Sequence, residues 1–245
     1  MEKFDWKLTI KMNIFMLKVV GLWPEGNETY KLNFYTLYAV ISTTFFVFGH
    51  NFFQIFNIVF IFNDLKALTG TIFIILTQML AILKSYYLVQ NMKTLKGLLV
   101  ILNSDIFQPK TIIQRGLIEP SLNIWKNIYM VFFTMTTNDI LFWSTFPILD
   151  KSVKEYRLPF LAWYPYTTKI SPLYEMTYIY QIVAVYFIAM VNLNIDTLIA
   201  ALNMYTGAQC DILCDSLRSL LNGDVPTDIN KKFINCTEHH KEILG

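Results

Sequence analysis

With 245 residues, of which 54% are hydrophobic and 16% charged, the chain is more apolar than an ordinary soluble domain, in which about half of the residues are apolar and about a quarter charged. Its formal net charge of +2 gives no electrostatic support for nucleic-acid binding and argues against nucleic acid as a partner. The apolar residues form long runs, so the sequence predicts an all-α fold, a polytopic membrane helical bundle.

Residues 1–31 predict a cytoplasmic amphipathic helix and not a signal peptide. Lysines interrupt the apolar residues, and no small-residue cleavage site follows. Gly21 and Pro24 mark the end of the helix. A helix on the membrane surface and a terminal helix packed on the protein both fit this pattern. The apolar positions recur at three- and four-residue steps: Phe4, Leu8, Met12, Phe15, Met16 and Val19.

Four apolar stretches predict four transmembrane helices over residues 32–204. The first, Leu32 to Asn63, holds no charged residue, and about 20 apolar residues suffice to cross the hydrocarbon core. The others cover about 67–91, 127–149 and 173–204. The fourth pattern continues as an amphipathic helix until the sequence NGDVP breaks it. Residues 205–245 therefore predict a cytoplasmic helical region, a long extension of the fourth helix.

Polar residues inside these spans predict contacts between helices. His50, Asn51, Gln54 and Asn57 fall in the middle of the first span at helical spacing. Such groups more often hydrogen-bond a neighbouring helix than bind a ligand, so they indicate a side that faces other helices. Asp139 is the acid inside the third span, where an ionisable group needs water, a partner or the membrane interface.

The distribution of positive charge predicts the orientation. With the N-terminus inside, the inner segments hold thirteen Lys and Arg residues, at positions 3, 7, 11, 18, 31, 93, 96, 110, 115, 218, 231, 232 and 241. The outer segments hold five, at positions 66, 151, 154, 157 and 169. This bias fits the positive-inside rule and places the N-terminus in the cytoplasm. Lys84 in the second span can extend toward the same side.

Motifs for catalysis and metal binding do not occur. The sequence has no phosphate-binding loop, zinc-protease pair or serine-nucleophile elbow, so neither an enzyme nor a cofactor is expected. The cysteines and nearby histidines lack a CxxC spacing and predict reduced, packed side chains and no metal. They are Cys210, Cys214, Cys236, His239 and His240. Glycosylation sequons at Asn27 and Asn235 lie on the predicted cytoplasmic side and should stay unmodified.

The segment between the third and fourth spans combines prolines with large aromatic rings. Pro159, Pro165 and Pro172 restrict its backbone. Trp163, Tyr164 and Tyr166 supply rings suited to the membrane interface. This composition favours an aromatic loop anchored at the interface over a lid that covers a ligand.

Four segments carry a resemblance to a known family: GLWP at 21–24, LPFLAWYPY at 158–166, SPLYEMTYIYQ at 171–181 and CTEHHKEIL at 236–244. In this order and spacing they resemble the insect odorant receptors. The resemblance implies a plasma-membrane protein with seven membrane helices and a cytoplasmic N-terminus. It also implies a tetrameric, odorant-gated, nonselective cation channel that contains a shared co-receptor. Because the family's pore helix is the seventh, a chain with four helices is expected to be truncated before it and not to conduct ions alone.

The resemblance also implies a pocket for volatile molecules in the outer half of the protein, bounded by the second, third and fourth helices. An apolar cavity with a few polar groups suits such ligands. Depth and helical spacing select the candidate residues, and each taken singly is more often a packing residue than a ligand contact. They are Phe73, Thr77, Gln78, Asn138, Phe142, Trp143, Trp163, Tyr174, Thr177, Tyr178 and Gln181.

Two other classes of membrane protein also have several apolar helices. A G-protein-coupled receptor would place its N-terminus outside, carry an acid-Arg-aromatic triplet after the third span and use an outer cysteine, and none of these is found. A transporter fragment would favour helices broken by Gly or Pro at the membrane midplane, which these spans lack. The transporter fragment remains the alternative function.

Overall fold

The computed structural model describes residues 3–26, 30, 32–221 and 226–244, and every regular element within them is helical. This confirms the predicted all-α fold. The Asn27 sequon and residues 222–225 of the predicted helix break lie outside the described residues. Short 3₁₀ turns lie at Trp6–Ile10, Asp105–Phe107 and Ser152–Glu155. The α-helices are α1 (Lys11–Val19), α2 (Phe34–Ser42), α3 (Gly49–Ile61), α4 (Leu65–Gln90), α5 (Met92–Leu102), α6 (Ile112–Leu149), α7 (Leu173–Leu221) and α8 (Pro226–Leu244).

The N-terminal helical segment buries a face that differs from the predicted apolar stripe. Trp6, Ile10 and Leu17 are fully buried. In the predicted stripe, Leu8 and Phe15 remain more than half exposed. The segment is apolar on two sides, so one side packs on the protein. The exposed stripe remains available for a membrane surface, and that role stays a prediction.

Gly21 ends α1 as the sequence predicts. Its φ of 82° is in the left-handed region that favours glycine. Gly21 N–H donates to Lys18 O at 3.1 Å and Leu22 N–H donates to Leu17 O at 2.8 Å, the bonding pattern of a Schellman cap. A Cβ atom at position 21 would lie 2.8 Å from Ala39 Cα, so a side chain there would also collide with α2.

Tyrosines from the following segment hydrogen-bond the carbonyl groups at the end of α1. Tyr30 Oη donates to Gly21 O at 2.7 Å, and Tyr35 Oη donates to Lys18 O at 3.1 Å. Tyr38 Oη donates to the carbonyl of the last α1 residue, Val19. Helix ends leave carbonyl groups without helical partners. The Tyr38 bond supplies such a partner to Val19, and the three bonds together fix the end of α1 against the start of the first span.

The first and second predicted spans form a helical hairpin. From Phe34 to Ile61, α2, a π-helical turn at Thr43–Phe48 and α3 follow one another without a break. The side chain of Asp64 then caps α4 by accepting hydrogen bonds from the N–H groups of Lys66 and Ala67, both at 3.1 Å.

Three helices in the described part of the chain are long and apolar enough to cross a membrane: Phe34–Ile61, Leu65–Gln90 and Leu173–Leu220. Helix α6, which contains the third predicted span, has 38 residues and is long enough. Asn138 and Asp139 interrupt its apolar run, so composition alone does not mark it as a span. Helix α7 is continuous over 49 residues, as the long fourth pattern predicts.

The contacts divide the chain into two compact units. Unit 1 consists of Met1–Met12, Thr94–Met130 and Asp196–Gly245, and unit 2 of Asn13–Lys93 and Val131–Ile195. In unit 1 the Trp6 ring lies 5.5 Å from the Tyr205 ring, and Tyr205 Oη donates to Trp6 O at 2.8 Å. In unit 2, α3 packs against α4. This division follows packing, so the predicted limits of the membrane region remain predictions.

Candidate functional site

In unit 2, the Pro-rich loop before α7 is held by the side chain of Gln181. Gln181 is fully buried. Its Oε1 accepts a hydrogen bond from Phe160 N–H, and its Nε2 donates to Phe160 O, both at 3.0 Å. Nε2 also donates to Tyr164 Oη at 3.1 Å. One amide therefore satisfies both backbone groups of a loop residue, as a neighbouring peptide group would.

The same loop packs against α3 through its backbone and its rings. Trp163 N–H donates to Phe53 O at 3.0 Å. The Trp163 ring lies 4.5 Å from Phe56 and stacks on Phe60 at 6.1 Å, and Tyr164 lies 4.8 Å from Phe53. These distances fall in the range for favourable aromatic pairs. The loop is thus fixed to protein on two sides.

Tyrosines of the loop and of the start of α7 make further bonds within unit 2. Tyr166 Oη and Thr177 Oγ1 share a hydrogen bond of 2.8 Å. Tyr174 Oη donates to Arg157 O at 2.8 Å, and Tyr178 Oη donates to the carbonyl of Ser144 in α6. The loop, α6 and α7 are therefore tied together at this end of unit 2.

Two ionisable side chains at this end of unit 2 have shifted pKa values. Hydrogen bonds from Ser152 hold the pKa of the exposed Asp150 carboxyl below its ordinary value, and Arg157 lies 3.7 Å away. Burial raises the pKa of Tyr164 above its ordinary value, although the Gln181 hydrogen bond opposes this shift. At neutral pH the loop therefore starts at a carboxylate and carries a neutral phenol inside. Among the described residues no group of three His, Cys, Asp or Glu side chains could hold a metal ion.

The predicted ligand residues divide into buried and exposed groups. The structure buries Gln78, Tyr174, Thr177 and Gln181 and half-buries Trp163 and Tyr178. The loop brings Trp143 to the same place, since its ring stacks on Phe160 at 5.9 Å and its Nε1 donates to Pro159 O at 3.2 Å. The exposed ones are Phe73, Thr77, Asn138, Phe142 and Trp143. Each residue's role as a ligand contact stays a prediction.

Several residues that build this site were not among the predicted ones. Phe160 is the backbone partner of Gln181, and Tyr164 is buried beside it. Phe53, Phe56 and Phe60 of α3 form the aromatic surface under the loop. Their spacing of three and four residues is a signal that the sequence did contain, because such spacing places side chains on one helix face.

A cavity of about 150 Å³ lies elsewhere, in unit 1. None of the predicted ligand residues lines it. Its walls come from α5, α7 and α8 and include Phe107 of the 3₁₀ turn between α5 and α6. The cavity therefore belongs to unit 1, whereas the loop and its contacts belong to unit 2.

Comparisons with known proteins agree on one family. A family model described as 7tm Odorant receptor matches residues 64–245. The chain is 25% identical to Odorant receptor Or1 of Anopheles gambiae over 259 aligned positions, covering 100% of this chain and 60% of Or1.

Solved structures of the insect olfactory receptor OR5 from Machilis hrabei match the fold. The structure in complex with eugenol has a TM-score of 0.77 and 18% identity, and a second OR5 structure has a TM-score of 0.78 and 19% identity. Each match covers 98% of this chain and 64% of OR5. The chain thus spans less than two thirds of the length of each of these relatives.

Proposed function

Because the chain belongs to the odorant receptor family, we propose that it acts as a subunit of an odorant-gated, nonselective cation channel that recognises volatile small molecules. The family match and the apolar helices make the chain part of a multi-pass membrane receptor. The alternative, a fragment of a membrane transporter, is not favoured, because the family match is to odorant receptors. No catalytic role is proposed.

The observation that carries the ligand-binding part of this proposal is the clamp of Gln181 on Phe160. An interfacial anchor needs only rings at the headgroup level, whereas this loop is bonded to the buried face of a membrane helix. The fixed loop can therefore shape the outer end of a pocket between α4, α6 and α7. This favours the lid over the simple anchor.

The polar groups near the loop favour a mostly apolar ligand. The side chains of Thr177, Tyr178 and Gln181 already donate hydrogen bonds to protein partners. Recognition would therefore depend on shape and aromatic contact, with few polar contacts available. The solved OR5 complex with eugenol supports a small organic molecule as the ligand class.

The assembly and orientation complete the proposal. We place the receptor in the plasma membrane with its N-terminus in the cytoplasm, and in a hetero-oligomer with the odorant receptor co-receptor. Residues 1–31 would be the cytoplasmic amphipathic segment, 32–204 the transmembrane region and 205–245 the cytoplasmic helical region. The positive charges of the inner segments support this orientation.

Glycosylation acceptors test the orientation. One acceptor is inserted within residues 151–157 and, in a separate variant, one within 100–110. Modification is expected at the first site alone, because an inside N-terminus places it outside the cell. Modification of the second site alone would contradict the orientation and favour a topology with the N-terminus outside.

Ligand binding can be tested on the chain itself in lipid nanodiscs. A panel of volatile alcohols, esters and phenols is titrated while tryptophan fluorescence is recorded. Saturable quenching by some members is expected. Because the Trp163 ring would close the pocket, Trp163→Ala should raise the half-saturating ligand concentration at least about tenfold. Phe62→Ala is the control, because Phe62 directly follows α3 and is 70% exposed. Absence of saturable binding by a chain with native helicity would contradict the proposed ligand site.

A further inference from the structure

One face of α3 is polar and fully enclosed. His50 and Gln54 are 0% and 1% exposed, and Asn57 is 8% exposed. Their spacing of four and three residues places them along a single stripe of the helix. This stripe lies within the Phe34–Ile61 helix, which is long and apolar enough to cross a membrane. Buried polar groups in such a helix need hydrogen-bond partners, because the lipid offers none.

The stripe does not find these partners in the described part of the protein. Both ring nitrogens of His50, Oε1 of Gln54 and Nδ2 of Asn57 have no hydrogen-bond partner there. The neighbouring Asn51 donates from Nδ2 to Val47 O at 2.8 Å, but its Oδ1 has no partner. Nearly all buried polar atoms in native proteins are satisfied by protein or by ordered water. These atoms therefore need a hydrogen-bond partner that the described residues do not supply.

Helix α4 contributes a further atom of this kind. Gln78 is 4% exposed, and its Oε1 also lacks a partner. Because α3 and α4 form a hairpin, depth can be counted from the connection between Ile61 and Leu65. At about 1.5 Å per residue, His50 lies about 16 Å and Gln78 about 20 Å from that connection. The two residues thus lie within one helical turn of the same depth, on helices that pack together.

The unsatisfied atoms accept more hydrogen bonds than they donate. A neutral histidine ring provides one donor and one acceptor. The other unsatisfied atoms are the oxygens of Asn51, Gln54 and Gln78, which accept, and the nitrogen of Asn57, which donates. The missing partner must therefore be small and must donate. Water meets both conditions, since it donates two hydrogen bonds and occupies buried polar sites in most proteins.

Other occupants fit these observations less well. A metal ion would need a stronger donor set, and the described residues contain no group of three His, Cys, Asp or Glu side chains suited to one. A lipid or another protein chain cannot reach side chains that the surrounding helices already enclose. The enclosure includes the loop and α7, since the His50 ring lies 6.1 Å from Phe160 and 6.2 Å from Tyr180.

We propose that His50, Gln54 and Asn57 of α3 and Gln78 of α4, here named the α3–α4 polar seam, form an internal hydration site. Bound water molecules bridge the two helices and satisfy the seam. They also fix the rotation of α3 beneath Phe160, the loop residue that Gln181 holds. This site is separate from the proposed odorant contacts, apart from Gln78, and does not depend on the proposed function.

Hydroxyl-radical footprinting by X-ray radiolysis of the chain in nanodiscs tests the proposal, because radicals formed from bound water label the side chains beside it. The chain supplies its own matched controls in His239 and His240. His239 is 7% exposed and contacts Gln209, whereas His240 is exposed. We expect His50 to be labelled at least about threefold faster than His239, although His50 is the more buried residue. A His50 rate equal to or below that of His239 would overturn the hydration site.

Variants then test whether the water bridges the helices. Gln78→Leu removes an acceptor from α4 and should lower the His50 labelling rate at least about twofold. Gln90→Leu is the control, because Gln90 is exposed at the end of the same helix and should leave the rate unchanged. If Gln78→Leu does not fold, Gln54→Leu removes an acceptor of the same type from α3. An unchanged His50 rate in the folded variant would contradict the bridge.

Discussion

Two buried glutamines on α7 perform the same structural task with different partners. Gln181 bonds both the N–H and the carbonyl of Phe160, each at 3.0 Å. Gln209 Nε2 donates to Phe107 O at 3.1 Å, while its Oε1 lies 3.0 Å from His239 Nε2. Each amide satisfies the backbone of a phenylalanine outside the helix. Only Gln209 also depends on a histidine, a side chain that can gain a proton.

The comparison shows how a long helix can hold irregular segments. A glutamine side chain carries an amide that can replace a missing peptide partner, and its burial is tolerated because the amide is hydrogen-bonded. Around Gln181 the partners are a backbone and a phenol, which stay neutral at neutral pH. Around Gln209 the partner can gain a proton. The loop of unit 2 should therefore be held independently of pH, and α8 in unit 1 should not.

The largest expected effect comes from removing each amide. Gln181→Leu leaves the two backbone groups of Phe160 unpaired and should lower the free energy of unfolding by about 3 kcal/mol. Gln209→Leu leaves one carbonyl and the His239 ring unpaired and should cost about 2 kcal/mol. Chemical unfolding in mild detergent, followed by helical circular dichroism, measures both values.

The exposed Gln90 provides the control for these substitutions. Gln90→Leu should change the free energy of unfolding by less than about 0.5 kcal/mol. A similar small effect for Gln181→Leu would show that the loop does not depend on the amide, and the comparison between the two glutamines would fail.

The amino-acid sequence predicts the helices of this fold more completely than their contacts. Long apolar runs identified the Phe34–Ile61 hairpin arm and the continuous α7, because a membrane helix is a local property of composition. The third span is harder to recognise from composition, since Asn138 and Asp139 reduce the apolar character of α6. The buried face of the N-terminal segment also differed from the predicted stripe, because both sides of that segment are apolar and periodicity cannot choose between them.

The position of the Pro-rich loop is predictable from the sequence, but its hydrogen bonds are less so, and the ligand site itself stays a prediction. Prolines and aromatic rings marked residues 158–181, and the structure places Trp163, Thr177 and Gln181 in contact with the loop or within it. The pairing of Gln181 with Phe160 joins positions 21 residues apart through a loop without periodicity. No spacing rule gives such a pair, because the loop path depends on tertiary packing.

A second prediction asks whether rings or hydrogen bonds hold the loop. Trp163→Ala removes the contacts with Phe56 and Phe60 but keeps the Trp163 N–H bond to α3. Because the side chain is half-buried, we expect a loss of about 2 kcal/mol, less than for a fully buried tryptophan. The same unfolding measurement applies, with Phe62→Ala as the control. A loss above that of Gln181→Leu would reverse the order and make aromatic packing the main support of the loop.

The smallest expected effect is a pH response of α8 in unit 1. Burial lowers the pKa of His239 from its ordinary value of 6.5, and the positive charge of Lys110 lowers it further. A lowered folded-state pKa means that the unfolded state binds the proton more readily. The stability associated with neutral His239 is therefore fully present above about pH 6.5 and is lost as the pH falls toward the folded-state pKa. Hydrogen exchange of α8 amides, corrected for the intrinsic effect of pH, should show weaker protection at pH 5 than at pH 7.5.

His239→Gln should abolish this difference, because glutamine can still donate to Gln209 but does not titrate. His240→Gln changes an exposed neighbour and should preserve the difference. Equal pH responses in the two variants would remove the distinction drawn here between Gln209 and Gln181.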